Sequence, residues 1–202
     1  MIRIAVLASG RGSNLESLFE ALANRADAAI VLVASDRAEA EALERARRRG
    51  VEAAIVLPAD GDELLELLEP ARVDWVVLAG YLRRVPPAVV RRYRNRILNI
   101  HPALLPAHGG KGMYGERVHR AVLEAGEKRS GASVHLVDEE YDRGPIVAQE
   151  EVPVEPGDTP ATLAARVLEV EHRLLPAVVV AAAEGRIRVG EGRAWIEPRE
   201  ER

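Results

Sequence analysis

The opening of the chain constrains its fold more than any other feature. A continuous apolar run at 2–8 is closed at once by Ser9-Gly10-Arg11-Gly12, and Leu15, Leu18, Phe19 and Leu22 then recur at helical spacing. An apolar run without polar alternation predicts a strand buried on both faces, and glycines after it predict a tight turn. The pattern repeats. Strands are expected at 28–34, 51–57, 73–79 and 97–100, separated by a charged helix to about residue 49, a short helix at 61–69, and another at 85–94 that opens with Pro86-Pro87. Strands alternating with helices predict an α/β fold, a mostly parallel twisted sheet with helices on both faces. Ligands in such folds sit beyond the carboxyl ends of the strands.

After His101 the texture changes. The stretch 102–115 is rich in Gly and Pro and reads as a long loop, followed by a helix at 114–125. Two strands, at 132–137 and 145–154, are expected to form a hairpin-like pair. A long helix at 159–184 has Thr159 as N-cap, Pro160 at its first position and a kink at Pro176. Gly190-Glu191-Gly192 marks a terminal hairpin between 187–189 and 194–196. No repeat or linker interrupts the 202 residues, so one domain over 1–202 is expected.

Composition removes several functions. The chain has no Cys, which excludes disulfides, Cys-ligated zinc, iron–sulfur clusters and thiol nucleophiles. Its 28 basic and 32 acidic residues leave a net charge of −4, unlike a nucleic-acid-binding surface. No apolar run spans a membrane and the N-terminus lacks signal-peptide features, which places the chain in the cytoplasm. The five His show no metal-ligand spacing, so no metal is expected.

Five segments are candidates for chemistry. The turn from Ser9 to Leu15 joins strand to helix, where backbone N–H groups and the helix dipole favour an anion. The third Gly of a dinucleotide fingerprint is missing, so a single phosphate fits better than a pyrophosphate. The competing reading is a capping box between Ser13 and Glu16. At the end of the fifth strand, alternation puts Asn99 and His101 on one side, an amide donor beside an imidazole. Asp142, in an acidic loop between two strands, could raise the pKa of His101 by charge pairing. Gly109, Gly110, Gly112 and Gly115 surround Lys111 in a segment that resembles a phosphate loop only superficially. It reads either as a mobile lid or as a surface loop. Glu171-His172 lies inside the long helix, and the arginines between 83 and 96 read as a solvated face.

Taken together, the segments 12–15 (Gly-Ser-Asn-Leu), 78–83 (Leu-Ala-Gly-Tyr-Leu-Arg), 99–106 (Asn-Ile-His-Pro-Ala-Leu-Leu-Pro), 133–135 (Ser-Val-His), 142–146 (Asp-Arg-Gly-Pro-Ile), 158–159 (Asp-Thr) and 171–172 (Glu-His) resemble the phosphoribosylglycinamide formyltransferase family in order and spacing. The resemblance implies transfer of a formyl group from 10-formyltetrahydrofolate to the amine of 5'-phosphoribosylglycinamide, a step of purine biosynthesis, on a single Rossmann-like domain. A phosphate-binding half would cover about 1–100 and a folate and catalytic half about 101–202. It implies that Gly12, Ser13, Asn14 and Leu15 hold the substrate phosphate and that Glu171 binds the glycinamide end. Leu82, Arg83, Arg84 and Val85, with Asn99 and Asp142, would line the folate site. Asn99, a protonated His101 and Asp142 would form the catalytic trio. It also implies small-molecule partners only, no metal, and a monomer or homodimer. The chain departs from the family in a longer Gly-rich loop, in Arg84 where an apolar residue is common, and in having no Arg between 58 and 69 to touch the folate.

Overall fold

The computed structural model describes residues 1–56 and 61–199, and the chain divides into two compact units, Met1–Asn99 and Ile100–Arg202. The first is built on parallel strands β1 (Ile2–Leu7), β2 (Ala28–Ser35), β3 (Glu52–Ile55), β4 (Trp75–Leu78) and the start of β5 (Ile97–His101). Their order is β3-β2-β1-β4-β5, all parallel. Ile4, Ala5, Val6, Leu7 and Ala8 are buried in succession, so β1 is covered on both faces and its missing alternation has a physical cause.

Four helices cover the sheet: α1 (Ser13–Leu22), α2 (Glu41–Arg48), α3 (Gly61–Leu68) and α4 (Pro87–Arg92). Helix α1 packs on α2, and α3 on α4. Helix α4 is shorter than the expected 85–94, because Pro86 takes an extended cap conformation before Pro87 and the chain ends the helix at Tyr93. The predicted third strand ended at Leu57; that residue and 58–60 lie outside the described residues.

The strand order sets the place for ligands. The chain runs β1, β2, β3 outward and then crosses to β4 on the other side of β1. The order therefore reverses between β1 and β4, the crevice where open α/β sheets bind ligands. Ser9 and Gly80, just past the ends of these strands, are joined by a hydrogen bond from Ser9 N–H to the Gly80 carbonyl, 3.0 Å.

The second unit holds α5 (Glu116–Glu124), the antiparallel pair β6 (Arg129–Leu136) and β7 (Ile146–Pro153), α6 (Pro160–Ala183) and the hairpin of β8 (Ile187–Gly190) and β9 (Arg193–Ile196). Strand β6 starts before the expected 132. Its Gly131 faces the Glu150 carbonyl, which a Cβ would approach to 2.1 Å, so the polar Ser130-Gly131 pair is part of the ladder. Thr159 caps α6 through a capping box with Thr162, and the helix runs on through Pro176 to Ala183.

Candidate active site

The turn after β1 is shaped by how its carbonyls are used. Gly10 C=O accepts from Ala42 N–H at 3.2 Å, Arg11 C=O from Arg45 Nε at 2.8 Å, and Gly12 C=O from Glu16 N–H at 3.0 Å. The first N–H groups of a helix have no intrahelical acceptor, so the amides at the start of α1 are the turn's remaining donors. Gly12 is held at φ 73°, and a Cβ there would lie 2.9 Å from the Ala42 backbone, so only glycine fits.

The competing reading, a capping box between Ser13 and Glu16, is absent from the structure. Gly12 is the N-cap, no side chain caps the helix, and the Glu16 carboxylate pairs with Arg45, 3.1 Å away, and with Arg49. Asn14 is buried, and Leu15 is wholly buried in the core. Leu15 therefore has only its backbone N–H to offer a phosphate.

Past β4 the chain runs irregularly through 80–86. Ser9 Oγ accepts from Leu82 N–H at 2.9 Å, and Arg83 Nε donates to Asp36 Oδ2 at 3.0 Å. Arg84 is exposed and Val85 buried. The arginines between 83 and 96 are not one helical face. Arg83 and Arg84 precede α4, while Arg92 and Arg96 flank the Tyr93 ring with their guanidinium carbons 5.5 Å from its centroid.

Asn99 lies in β5 opposite Leu78 of β4, two residues before His101. In the second unit His101 and Asp142 come together. His101 Nε2 lies 2.9 Å from the His108 carbonyl, which only accepts, so this nitrogen carries the proton. Nδ1 faces Asp142 Oδ2 at 3.7 Å. Asp142 also receives Gly110 N–H on Oδ2 at 2.8 Å, and its Oδ1 lies 3.5 Å from His135 Nε2. His135 Nδ1 in turn donates to the Leu136 carbonyl at 2.8 Å. Asp142 takes a left-handed backbone, φ 55°, which a short acidic side chain tolerates better than most.

Two opposing effects set the electrostatics of the pair. Burial lowers the pKa of His101 below its ordinary value, and the raising effects of the Asp142 charge and the His108 carbonyl do not outweigh it. For Asp142, burial pushes the carboxyl up, but the His135 hydrogen bond, the His101 charge and the Gly110 amide together hold it below the usual carboxylate range.

Glu171 is buried on α6 and engaged. The Gly-rich loop is fastened at its start by Gly110, while Lys111 is exposed. Sequence reasoning gave no role to the Ser9 side chain, to His108 or to His135. Only His135 had a usable signal, a second histidine in the Ser-Val-His stretch. Among the described residues, no group of three or more His, Asp or Glu could hold a metal ion, and no helix is long and apolar enough to cross a membrane.

Comparison with known proteins places this geometry. A family model described as "Formyl transferase" matches residues 2–179. The chain is 38% identical over 204 residues to the phosphoribosylglycinamide formyltransferase of Escherichia coli (strain K12), covering 97% of this chain and 94% of that one. It is 57% identical over 116 residues to the chloroplastic phosphoribosylglycinamide formyltransferase of Arabidopsis thaliana, covering 57% of this chain and 40% of that protein's length. In structure it resembles glycinamide ribonucleotide transformylase 1 of Symbiobacterium toebii, with a TM-score of 0.90, 43% identity, and coverage of 97% and 94% of the two chains.

Proposed function

The chain belongs to the formyl transferase family, and on that premise we propose that it transfers the formyl group of 10-formyltetrahydrofolate to the amine of 5'-phosphoribosylglycinamide in purine biosynthesis. The observation that carries this reading is the pairing of the buried His101 with the largely buried Asp142, a donor and a carboxylate in a chain that has no Cys to serve as nucleophile. A site of that composition suits a substrate that brings its own nucleophile, here the glycinamide amine.

The substrate phosphate binds the backbone N–H groups of Gly12, Ser13, Asn14 and Leu15, where the start of α1 favours negative charge. Glu171 receives the glycinamide end. Backbone groups of Leu82, Arg83, Arg84 and Val85 read the folate.

The amine attacks the formyl carbon, a C–N bond forms, and the carbonyl electrons pass to oxygen. His101 Nε2–H, which donates to the His108 carbonyl in the resting chain, exchanges that acceptor for the developing oxyanion. Asn99 adds its amide donor. Asp142 stands 3.7 Å from His101 Nδ1, beside the imidazole that meets the oxyanion and within reach of the proton the new ammonium releases. The proton leaving the new ammonium passes by way of Asp142 to the folate nitrogen, whose bond to the formyl carbon breaks. His135 and Gly110 hold Asp142 ionised for that role.

The formyl donor, 10-formyltetrahydrofolate, is a co-substrate, and no step uses a metal. Both substrates are small molecules, and the reaction is placed in the cytoplasm. The two compact units are read as the phosphate-binding and catalytic halves of one formyltransferase domain. A spectrophotometric assay with 10-formyltetrahydrofolate tests the function. Turnover that requires the ribonucleotide supports it, and deformylation without the ribonucleotide makes water the nucleophile and the chain a hydrolase.

A further inference from the structure

Ser9 opens the phosphate turn, yet its side chain serves another segment. Its N–H donates to Gly80 C=O at 3.0 Å and its Oγ accepts from Leu82 N–H at 2.9 Å, so the two bonds bracket Tyr81. Ser9 is 2% exposed, so its hydroxyl is held where water does not compete. One residue further, Arg83 Nε donates to Asp36 Oδ2 at 3.0 Å. The Asp36 side chain is wholly buried while that of Arg83 is 56% exposed. The second carboxylate oxygen, Asp36 Oδ1, is buried with no hydrogen-bond partner among the described residues. Burial and the Asp36 charge, against Arg83, push the Tyr81 hydroxyl up to about 12, so it stays a neutral donor.

These contacts lie where the segment needs them. Beyond Ala79 the chain leaves the sheet ladder, and no strand or helix fixes 80–86. A loop that presents backbone groups to a ligand depends on side chains elsewhere to hold one conformation. Here the holders stand at the ends of β1 and β2, on the crevice where the strand order reverses.

We infer that Ser9 and Asp36 are positioning residues for the folate-lining segment: Ser9 fixes the Leu82 amide and Asp36 the Arg83 guanidinium, so the residue that begins the phosphate turn sets affinity for the other substrate. The inference rests on the proposed function. Neither residue touches the reacting atoms; both act through 82–83.

The test compares the intact protein with Ser9→Ala and Asp36→Asn. Binding of 5,8-dideazafolate, a folate that carries no formyl group, is measured by calorimetry, and KM and kcat are measured for both substrates. Loss of the Leu82 hydrogen bond in Ser9→Ala, and of the carboxylate charge that faces Arg83 in Asp36→Asn, predicts that the dideazafolate Kd and the folate KM rise about three- to tenfold in each variant. The ribonucleotide KM and kcat stay within about twofold, a split that a general loss of structure does not produce. Asp36→Asn is nearly isosteric and keeps an oxygen acceptor, so it carries the test if Ser9→Ala does not fold. Unchanged folate affinity, or a ribonucleotide KM that rises as much as the folate's, overturns the positioning role alone. A wild-type chain that does not bind dideazafolate overturns the proposed function with it.

Discussion

The backbone N–H of Gly110 donates to Oδ2 of Asp142 at 2.8 Å, the same oxygen that faces His101 Nδ1 at 3.7 Å. The glycine-rich loop and the carboxylate proposed to carry the proton therefore meet at one atom. Asp142→Asn keeps an oxygen that accepts from Gly110 and removes the charge. Turnover is expected to fall about 10²- to 10⁴-fold, the range typical of general acid–base groups, with ribonucleotide binding changed less than about threefold. Single-turnover rates and calorimetry check the two parts separately. A turnover within about tenfold of wild type would remove Asp142 from proton transfer.

The pH behaviour of His101 follows from the sign of its shift. Burial lowers its pKa below 6.5, and Asp142 opposes that. NMR titration of the imidazole is expected to give a midpoint below 6.5 in the wild type and a lower one still in Asp142→Asn. For stability, the unfolded chain binds this proton more readily than the folded one. His101 therefore makes the protein less stable as pH falls below about 6.5. Asp142 works in a separate window. Its folded pKa is depressed, so its contribution is present above its unfolded pKa, which lies near 4, and is lost as pH falls through the folded value. Denaturation midpoints across pH 3–8, with and without His101→Ala, resolve the two. His101→Ala also removes the oxyanion donor, and is expected to abolish turnover while leaving ligand binding largely intact.

What was legible in the sequence was whatever local pattern dictates. The unbroken apolar run of β1, the turn glycines and the Thr159-Pro160 start of α6 each specify their element without outside help. Spacing alone allowed a Ser13–Glu16 capping box beside the anion turn; in the fold Gly12 is the N-cap and two distant arginines, Arg45 and Arg49, take the Glu16 carboxylate. The pKa of His101 was not legible for a related reason. The sequence shows an acid that could raise its pKa, but the opposing burial comes from packing. Ser9, Gly110 and His135 act through contacts that no spacing rule links, such as Ser9 to Leu82 across 73 positions.

Gly12 offers a test of the phosphate turn by itself. Its φ of 73° and the 2.9 Å approach of a Cβ to the Ala42 backbone both forbid a side chain. Gly12→Ala must shift either the turn or α2, at a cost of about 2–3 kcal/mol from left-handed strain and overpacking. The ribonucleotide KM is expected to rise at least about tenfold, with folate binding less affected. A matched Gly10→Ala, where nothing lies within 4 Å, separates backbone displacement from simple loss of glycine.

Two serines on β6 make opposite predictions from the same burial. Ser133 Oγ donates to Ala103 C=O at 2.6 Å and accepts from Leu105 N–H at 3.0 Å and from Gln149 Nε2 at 2.7 Å. It thereby fixes the backbone that follows His101. Ser133→Ala leaves the Ala103 carbonyl and the Leu105 amide without that partner in the interior, and is expected to cost about 2–3 kcal/mol. At this chain length that is a fall of roughly 4–12 °C in Tm. Because the segment carries on from His101, kcat should fall more than ribonucleotide affinity. Ser130 is buried as well, but its Oγ has no hydrogen-bond partner among the described residues. Its hydroxyl has lost water without a replacement, so Ser130→Ala is expected to leave Tm unchanged or raise it. Calorimetric melts of the two variants side by side decide the point, since both substitutions remove one oxygen from the same strand and only the hydrogen bonding differs.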